Sequence, residues 1–439
     1  MWPACFDRAC EGSYEPDLAD RLALIGSGRA DEDPASTLDW DIDIENLPPR
    51  PSAPSDVWQP HLPVDVVNLI VDHLQTGMSP ADARAEGARL SLVSRDWRDA
   101  GQRLVFRKVE QTSIGAYSPL ARGTGQRFPR LSMFVQVVYL DPLVHQPSEN
   151  NYHELLDACS QLQELRVHSV SSTVARCVAC LPRTCGGQHL TSLSLVFAPS
   201  NEDVECLKLH FLHGLEHLET LALVLPLAYL RVLPNEFSKQ QRLRLKNLRV
   251  SFTGDDVDAL DAACTSIFSL VDGQALISLL FFAATMSPAL LAWLRRAKSL
   301  VRLHLSVTAR LVGLLDSFIA TSRALSATRH LKLQQLRPAA VPSASRLVQE
   351  PLHTIFLSNL PPVLETCTVD VHIAQRAQHS AGSAWPSFLA ARGKIGLKRF
   401  SFGRVDGNGM HQWTRMDDGE KAHWVRPPFK PESGAFGPT

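Results

Sequence analysis

Net charge of either sign is missing from this sequence: 44 Lys and Arg stand against 45 Asp and Glu, for a formal charge of -1 and a pI near 7.0. Bulk electrostatics therefore give no basis for a nucleic-acid or acidic-membrane partner. Cysteines in disulfide-like array are missing too. The nine present are odd in number and mostly sit in apolar segments, which suits a reducing compartment, cytoplasm or nucleus. The N-terminus, Met1-Trp2-Pro3-Ala4-Cys5, has no basic region leading into an apolar one, which argues against a secretory signal. Catalytic signatures are absent as well: there is no Gly-x-Gly-x-x-Gly, Walker loop, Gly-x-Ser-x-Gly or His-Glu-x-x-His element. The chain is expected not to be an enzyme and to need no cofactor. A site assembled from distant residues is the remaining route to catalysis.

One run could pass for a membrane span. Between Gly273 and Leu294 no residue is charged, and Arg295, Arg296 and Lys298 follow. Ser287-Pro288 interrupts it, however, as an N-cap with Pro at the first helical position. The expectation is a buried strand, a turn and an amphipathic helix in a soluble protein with no membrane partner.

At 439 residues the chain exceeds what one core usually organises. Residues 1–57 read as a disordered acidic, Pro-rich tail. Through residue 58 they hold thirteen Asp/Glu against four Lys/Arg, so the remainder is basic. Within the tail, Asp39-Trp40-Asp41-Ile42-Asp43-Ile44-Glu45 alternates acid with apolar and suits a peptide docking segment. Residues 426–439, rich in Pro and Gly, read as a second disordered tail.

At His61 the texture changes. Leu62-Pro63-Val64-Asp65 opens a helix, and Val67, Ile70, Val71 and Leu74 form one apolar stripe that Gly77 ends. A polar loop or short helix starts at Ser79-Pro80. Leu90-Ser91-Leu92-Val93 then leads to Ser94, an N-cap for a helix over 95–107 with Trp97, Ala100, Leu104 and Val105 on one side. Three short helices in 58–110 make a small core, which favours docking against another protein.

The order Leu62-Pro63-x-x-Val66-x-x-x-Ile70-x-x-x-Leu74, then Leu90-x-Leu92-Val93-Ser94-Arg95-x-Trp97-Arg98, resembles the F-box. It departs from the family in a longer polar insert, Gln75 to Arg89, and in Asp65 where an acid usually stands one position along. The resemblance implies binding of the adaptor subunit of SCF-type cullin–RING ubiquitin ligases, and through it cullin. Leu62, Pro63, Val66, Ile70, Leu92, Val93 and Trp97 would form the docking surface and its support.

Beyond residue 130 an apolar-x-x-apolar-x-apolar pattern repeats. It stands at Val135/Val138/Leu140, Leu162/Leu165/Val167, Leu190/Leu193/Leu195, Leu218/Leu221/Leu223 and Leu245/Leu248/Val250. It continues less strictly at Leu276, Leu300, Leu352/Ile355/Leu357 and Leu397, and Thr328/Leu331/Leu333 matches poorly. Helices are expected between, over 150–160, 200–212, 255–270 and 288–297. Strand plus helix at a period near ~28 residues is the signature of leucine-rich repeats. The chain thus resembles the leucine-rich-repeat class of F-box proteins, of the fungal type. The expected fold is α/β: a three-helix module followed by an irregular repeat solenoid over 130–405. The Asn or Cys that usually bonds the turn after each strand is replaced by Val170, Ala198, Pro226, Thr253 and Thr308, so regularity is expected to be low.

Residues between strand anchors would face the concave side. They include Glu164, Arg166 and His168; Asn247, Arg249 and Ser251; Arg302, His304 and Ser306; His330 and Lys332; Thr354, Phe356 and Ser358; and Arg399. The later rungs carry cations and histidines without acids. Arg166, Arg249, Arg302, His304, Lys332, Phe356 and Arg399 are the candidate substrate contacts, suited to an acidic or phosphorylated protein segment. The resemblance implies a substrate-recognition adaptor, with a non-degradative scaffold and a metal-dependent enzyme as alternatives. The last rests on Cys177-x2-Cys180-x4-Cys185-x3-His189, whose donors could complete a tetrahedral zinc site.

Overall fold

The computed structural model describes residues 62–75, 78, 80–93, 95–110, 132–140, 149–170, 172–197, 209–227, 242–308, 318, 321–322, 324–335, 360–372, 397–405, 409–417 and 422–425. The two tails, Ser94, Thr354, Phe356 and Ser358 lie outside these residues. The chain divides into two compact units, one of residues 1–169 with 180–190, the other of 170–179 with 191–439.

The first unit opens with three helices, α1 (Val64–Gln75), α2 (Pro80–Val93) and α3 (Arg95–Phe106). Val67 and Val71 from α1 meet Ala100 and Leu104 from α3, and half-buried Leu90 and Trp97 pack against that cluster. The segment 75–89, expected as a polar insert, is helical from Pro80 onward and runs on through Val93. Pro80 stands at the first helical position, and Ala81, Ala83, Ala85 and Ala88 favour helix. No apolar stripe marks it, which is why periodicity understates it. Contact with α3 is instead backbone against backbone. A Cβ on Gly87 would stand 2.7 Å from the Gly101 carbonyl oxygen, and one on Gly101 would stand 2.5 Å from the Gly87 oxygen.

Three parallel strands follow in this unit: β1 (Lys108–Glu110), β2 (Val137–Leu140) and β3 (Glu164–Val170), in register Lys108↔Val137↔Glu164. Helix α4 (Glu149–Ala158) connects the last two and buries Leu155 and Leu156.

The second unit contains α5 (Ser172–Ala179) and the strands β4 (Ser192–Phe197), β5 (Thr220–Pro226), β6 (Asn247–Thr253), β7 (Ser278–Ala283), β8 (Arg302–Val307), β9 (His330–Gln335), β10 (Thr366–His372) and β11 (Arg399–Val405). These eight are parallel and neighbour one another in chain order. Counting the first unit's three, the chain is α/β with eleven parallel strands among the described residues. An antiparallel hairpin, β12 (Gly409–Asp417) and β13 (Ala422–Val425), continues from β11. It extends past residue 405, where the repeat region was expected to end.

Parallel neighbours need a crossover, and both crossovers between β6 and β8 are helical. Helix α6 (Val257–Leu270) joins β6 to β7, and α7 (Pro288–Leu294) joins β7 to β8. Asp256 caps α6 by accepting from the Ala259 N–H at 3.0 Å. Ser287 caps α7, and the Asp261 carboxylate binds both the Ser287 hydroxyl, at 2.5 Å, and the Ala289 N–H, at 2.8 Å. One α6 side chain therefore fixes the start of α7. Phe268 on α6 stacks near Trp293 on α7 (4.9 Å between centroids) and Phe281 on β7 (6.4 Å). The uncharged run from Gly273 to Leu294 is a strand and a capped helix, as Ser287-Pro288 suggested. Among the described residues no helix is long and apolar enough to cross a membrane.

The anchors of the repeated pattern, such as Leu193, Leu195, Leu221, Leu248, Leu279 and Leu303, are buried at 0 or 1 % exposure. One expectation is corrected. Thr328/Leu331/Leu333 is a full rung: Thr328 is buried, and its hydroxyl donates to the Leu300 carbonyl at 2.8 Å, so the polar anchor is satisfied. The strand beside β9 is 366–372, with Leu364, Cys367 and Val369 as buried anchors, and Leu352/Ile355/Leu357 lie outside the described residues. A cysteine and a valine fill those positions, so a search weighted to leucine passes over them. Of the helix expected over 200–212, the described residues include only a 3₁₀ turn, Leu209–Gly214.

Gly101→Val should push α2 off α3 and destabilise the helical module by about 1–3 kcal/mol, as overpacking does. Hydrogen exchange of the full chain is the measurement. Amides of α2 and α3 should lose protection while those of β6 to β8 keep theirs; unchanged α2 protection would contradict the close crossing.

Candidate functional site

Two surfaces carry the sequence-derived candidates, one in each unit. In the first, α1 turns Val67 and Val71 into the core and carries Val66 and Leu69 on its other face, while Val64, the first residue of the helix, is exposed at its start. Leu62, Val66 and Leu69 follow i, i+4 and i+7 spacing, a stripe on solvent. Leu69 is 69 % exposed, and at the end of α2 Leu92 is 74 % and Val93 61 % exposed. Pro63 is exposed too, and Ile70 is half-buried. Trp97 packs on the module's own core and so supports the surface instead of forming it. Leu69 was missed from sequence because the inward stripe was traced and the outward one was not, and Val64 because it shares the inward spacing yet sits at the uncovered helix start. Large apolar side chains held in water on a module this small make this face the candidate interaction surface.

In the second unit, strand residues between the anchors line the sheet face opposite the core. The register sets two rows. One runs Arg302, His330, Thr366, Arg399 and the other Arg249, Leu280, His304, Lys332, Thr368. Arg302 and Arg399 are exposed; Arg249, His304 and Lys332 are half-buried. Arg166, grouped with these from sequence, belongs to the first unit. There it pairs with the Glu164 carboxylate and lies 4.7 Å from the centre of the Tyr139 ring, which Lys108 also approaches at 4.5 Å. Phe356 lies outside the described residues, and Thr366 and Thr368 hold the places beside β9.

An acid that the sequence did not place there stands at the foot of these strands. Glu365, one residue before β10, pairs with Lys398 at 3.0 Å and Arg329 at 3.5 Å. The hydrogen bond and charge of Lys398 hold its carboxyl below the ordinary range.

His304 is the polar centre of the face. Its Nε2 lies 3.1 Å from Gln334 Oε1 and 3.0 Å from Ser306 Oγ, and the Ser306 hydroxyl donates to Gln334 Oε1 at 3.2 Å. Burial, then the charges of Lys332 and Arg249, pull its pKa down to about 3 despite the Gln334 bond. His330 bonds Thr366 Oγ1 through Nδ1 at 2.9 Å and is also lowered, by burial and then by Arg302. Both rings are therefore neutral donors near neutral pH, and the positive charge resides on Arg and Lys.

The Cys/His cluster is not assembled as a ligand set. Cys177 is buried on α5, Cys180 is half-buried, and Cys185 and His189 are exposed. Among the described residues no group of three or more His, Cys, Asp or Glu is placed to hold a metal ion. The segment is instead shaped by Thr184, whose hydroxyl donates to the Leu181 carbonyl at 2.9 Å and accepts from the Gly187 N–H at 3.2 Å. No protein-family model and no curated protein matches the chain.

His304 fixes a pH dependence. A histidine lowered to about 3 in the folded chain binds its proton more readily when unfolded. Its burial thus favours folding fully above the unfolded value near ~6.5 and progressively less as pH falls toward about 3. The unfolding midpoint should drop between pH 7.5 and 4.5, and His304→Gln should flatten that drop. Parallel curves for the two proteins would count against the assignment.

Proposed function

We propose that the chain is the substrate-recognition subunit of an SCF-type ubiquitin ligase. In this reading α1 to α3 are an F-box-like module that docks the ligase adaptor. The strand array is an irregular leucine-rich-repeat solenoid whose cationic face holds an acidic or phosphorylated protein segment. Other subunits supply the ubiquitin-transfer chemistry. The observation that carries the reading is the outward apolar set, Leu62, Val64, Val66, Leu69, Leu92 and Val93, on a helical module with a four-residue core. A module this small gains little from its own packing, and burying those side chains against a partner supplies the missing apolar contact. The parallel strand array supports the second half of the reading, since it sets polar side chains in rows on the face away from the core.

The test separates docking from folding because the deciding residues are exposed. Leu69→Asp/Leu92→Asp should leave the circular dichroism and unfolding midpoint unchanged and reduce capture of the ligase adaptor subunit by at least roughly 100-fold, as loss of central apolar contacts does. Equal capture by a folded variant would overturn the reading. Capture without turnover of any bound protein in reconstituted ligase would assign the same surfaces to a non-degradative scaffold.

A further inference from the structure

Cations gather where the chain turns into β6, β7 and β8. These strands are parallel and in register, so the turns that enter them stack at one end of the second unit. In the first turn Arg242 and Arg244 are exposed on either side of buried Leu243, which bridges Val271 in the second. In the third, after α7, Arg295, Arg296 and Lys298 are exposed. Hydrogen bonds tie the turns together. The Asp272 N–H donates to the Leu243 carbonyl at 2.9 Å, and the Gln274 side-chain amide donates to the Arg296 carbonyl at 2.8 Å. Among the described residues none of the five cations has an ion-pair partner. Asp272, the acid of these turns, accepts from the Gln274 N–H at 3.0 Å. The dipole of α7 favours the cations at its end, but Arg242 and Arg244 flank a strand bridge and owe nothing to it.

The surroundings of this rim choose among anionic partners. Strands β6 to β8 are paired on both sides, so none offers an edge to an acidic peptide. No aromatic ring is exposed among the described residues of these turns, and Trp293 beside them is buried, so nucleic-acid bases find nothing to stack on. An aliphatic side chain does protrude. Ile277, at the start of β7, is 42 % exposed, and half-buried Val301 donates its N–H to the Ile277 carbonyl at 2.8 Å. Unpaired cations around a protruding aliphatic side chain match a bilayer surface, whose phosphates meet the charges and whose interfacial layer takes the apolar group.

We propose that this rim docks the second unit on an anionic phospholipid surface through Arg242, Arg244, Arg295, Arg296 and Lys298, with Ile277 entering the interface. The net charge of the whole chain gives no sign of it, because acids near the N-terminus cancel what the rim concentrates. The inference is independent of adaptor docking, which uses the first unit.

The test is co-sedimentation of the full-length protein with vesicles of phosphatidylcholine alone and of equimolar phosphatidylcholine and phosphatidylserine. The protein should pellet with the anionic vesicles only, and high salt should release it. Arg242→Ala/Arg295→Ala/Arg296→Ala/Lys298→Ala should weaken that binding at least roughly 100-fold. Its unfolding midpoint and its capture of the ligase adaptor should stay unchanged. Arg242→Lys/Arg295→Lys/Arg296→Lys should bind as wild type, since fluid headgroups demand charge and not a guanidinium fork. Ile277→Ser should weaken binding several-fold. Equal binding to neutral and anionic vesicles, or an alanine variant that binds like wild type, overturns the proposal. A mixed-sequence RNA oligonucleotide that displaces the vesicles and binds Ile277→Ser as well as wild type also overturns it, and gives the rim to nucleic acid. The neutral-vesicle and salt comparisons use the wild type, so a misfolded variant leaves the test intact.

Discussion

At the start of strand after strand, two consecutive N–H groups share a single carbonyl from the strand before. Glu219 and Thr220 both donate to Thr191 O at 2.9 Å, Lys246 and Asn247 to Glu219 O at 2.8 and 3.0 Å, and Arg329 and His330 to Val301 O at 2.9 and 3.0 Å. The same arrangement recurs from Gln136 and Val137 on Arg107 O to Lys398 and Arg399 on Glu365 O. Each pair aligns the first residue of one strand with the first of its neighbour. Because side chains alternate along a strand, a slip of one residue would turn every anchor to the wrong face. This backbone junction makes no demand on side-chain identity. Its positions hold Arg, Gln, Thr, Glu, Lys, Ile and Val. Thr308 offers a local substitute at one strand end, where its hydroxyl donates to the Ala284 carbonyl at 3.1 Å.

Once register is held this way, the interior follows from volume and the open face from what remains. Leucines fill most anchor positions, and Phe252, Phe268, Phe281 and Trp293 pack as one aromatic group against α6 and α7. The intervening side chains are then stacked strand on strand at close spacing. Two histidines placed among Arg249, Lys332 and Arg302 lose their protons, because a further charge there would be both desolvated and repelled. The pairing of Glu365 with Arg329 and Lys398 illustrates the other outcome, in which opposite charges brought together by register neutralise one another. Exposed pairs of this kind contribute little to stability but shape the local field.

The sequence was most legible where one residue type recurs at one role. The interval between leucine triplets announced parallel strands with intervening helices, and Ser287-Pro288 identified a capped helix inside an apolar run. It was least legible where different chemistry meets the same need. Cys367 and Val369 fill anchor positions that leucine fills elsewhere, so β10 went unmarked in the leucine pattern. Thr328 is an anchor because its hydroxyl finds a carbonyl, which no hydropathy pattern registers. Helix α2 went underestimated because it meets α3 through glycine backbones, not through an apolar stripe.

Composition and spacing by themselves determined that the chain is α/β, that its strands repeat with buried leucines, and that an acidic segment precedes a basic remainder. These properties are local: they depend on alternation, on capping residues and on counting charge. Tertiary structure alone decided which polar residues become neighbours. Arg302 and Arg399 are far apart in the chain yet share one row, while Arg166 belongs to another unit, and Glu365 meets Arg329 and Lys398 at the foot of strands that seemed free of acids. Lateral register between strands creates those neighbours, and it is set by hydrogen bonds between backbones that carry no sequence signature.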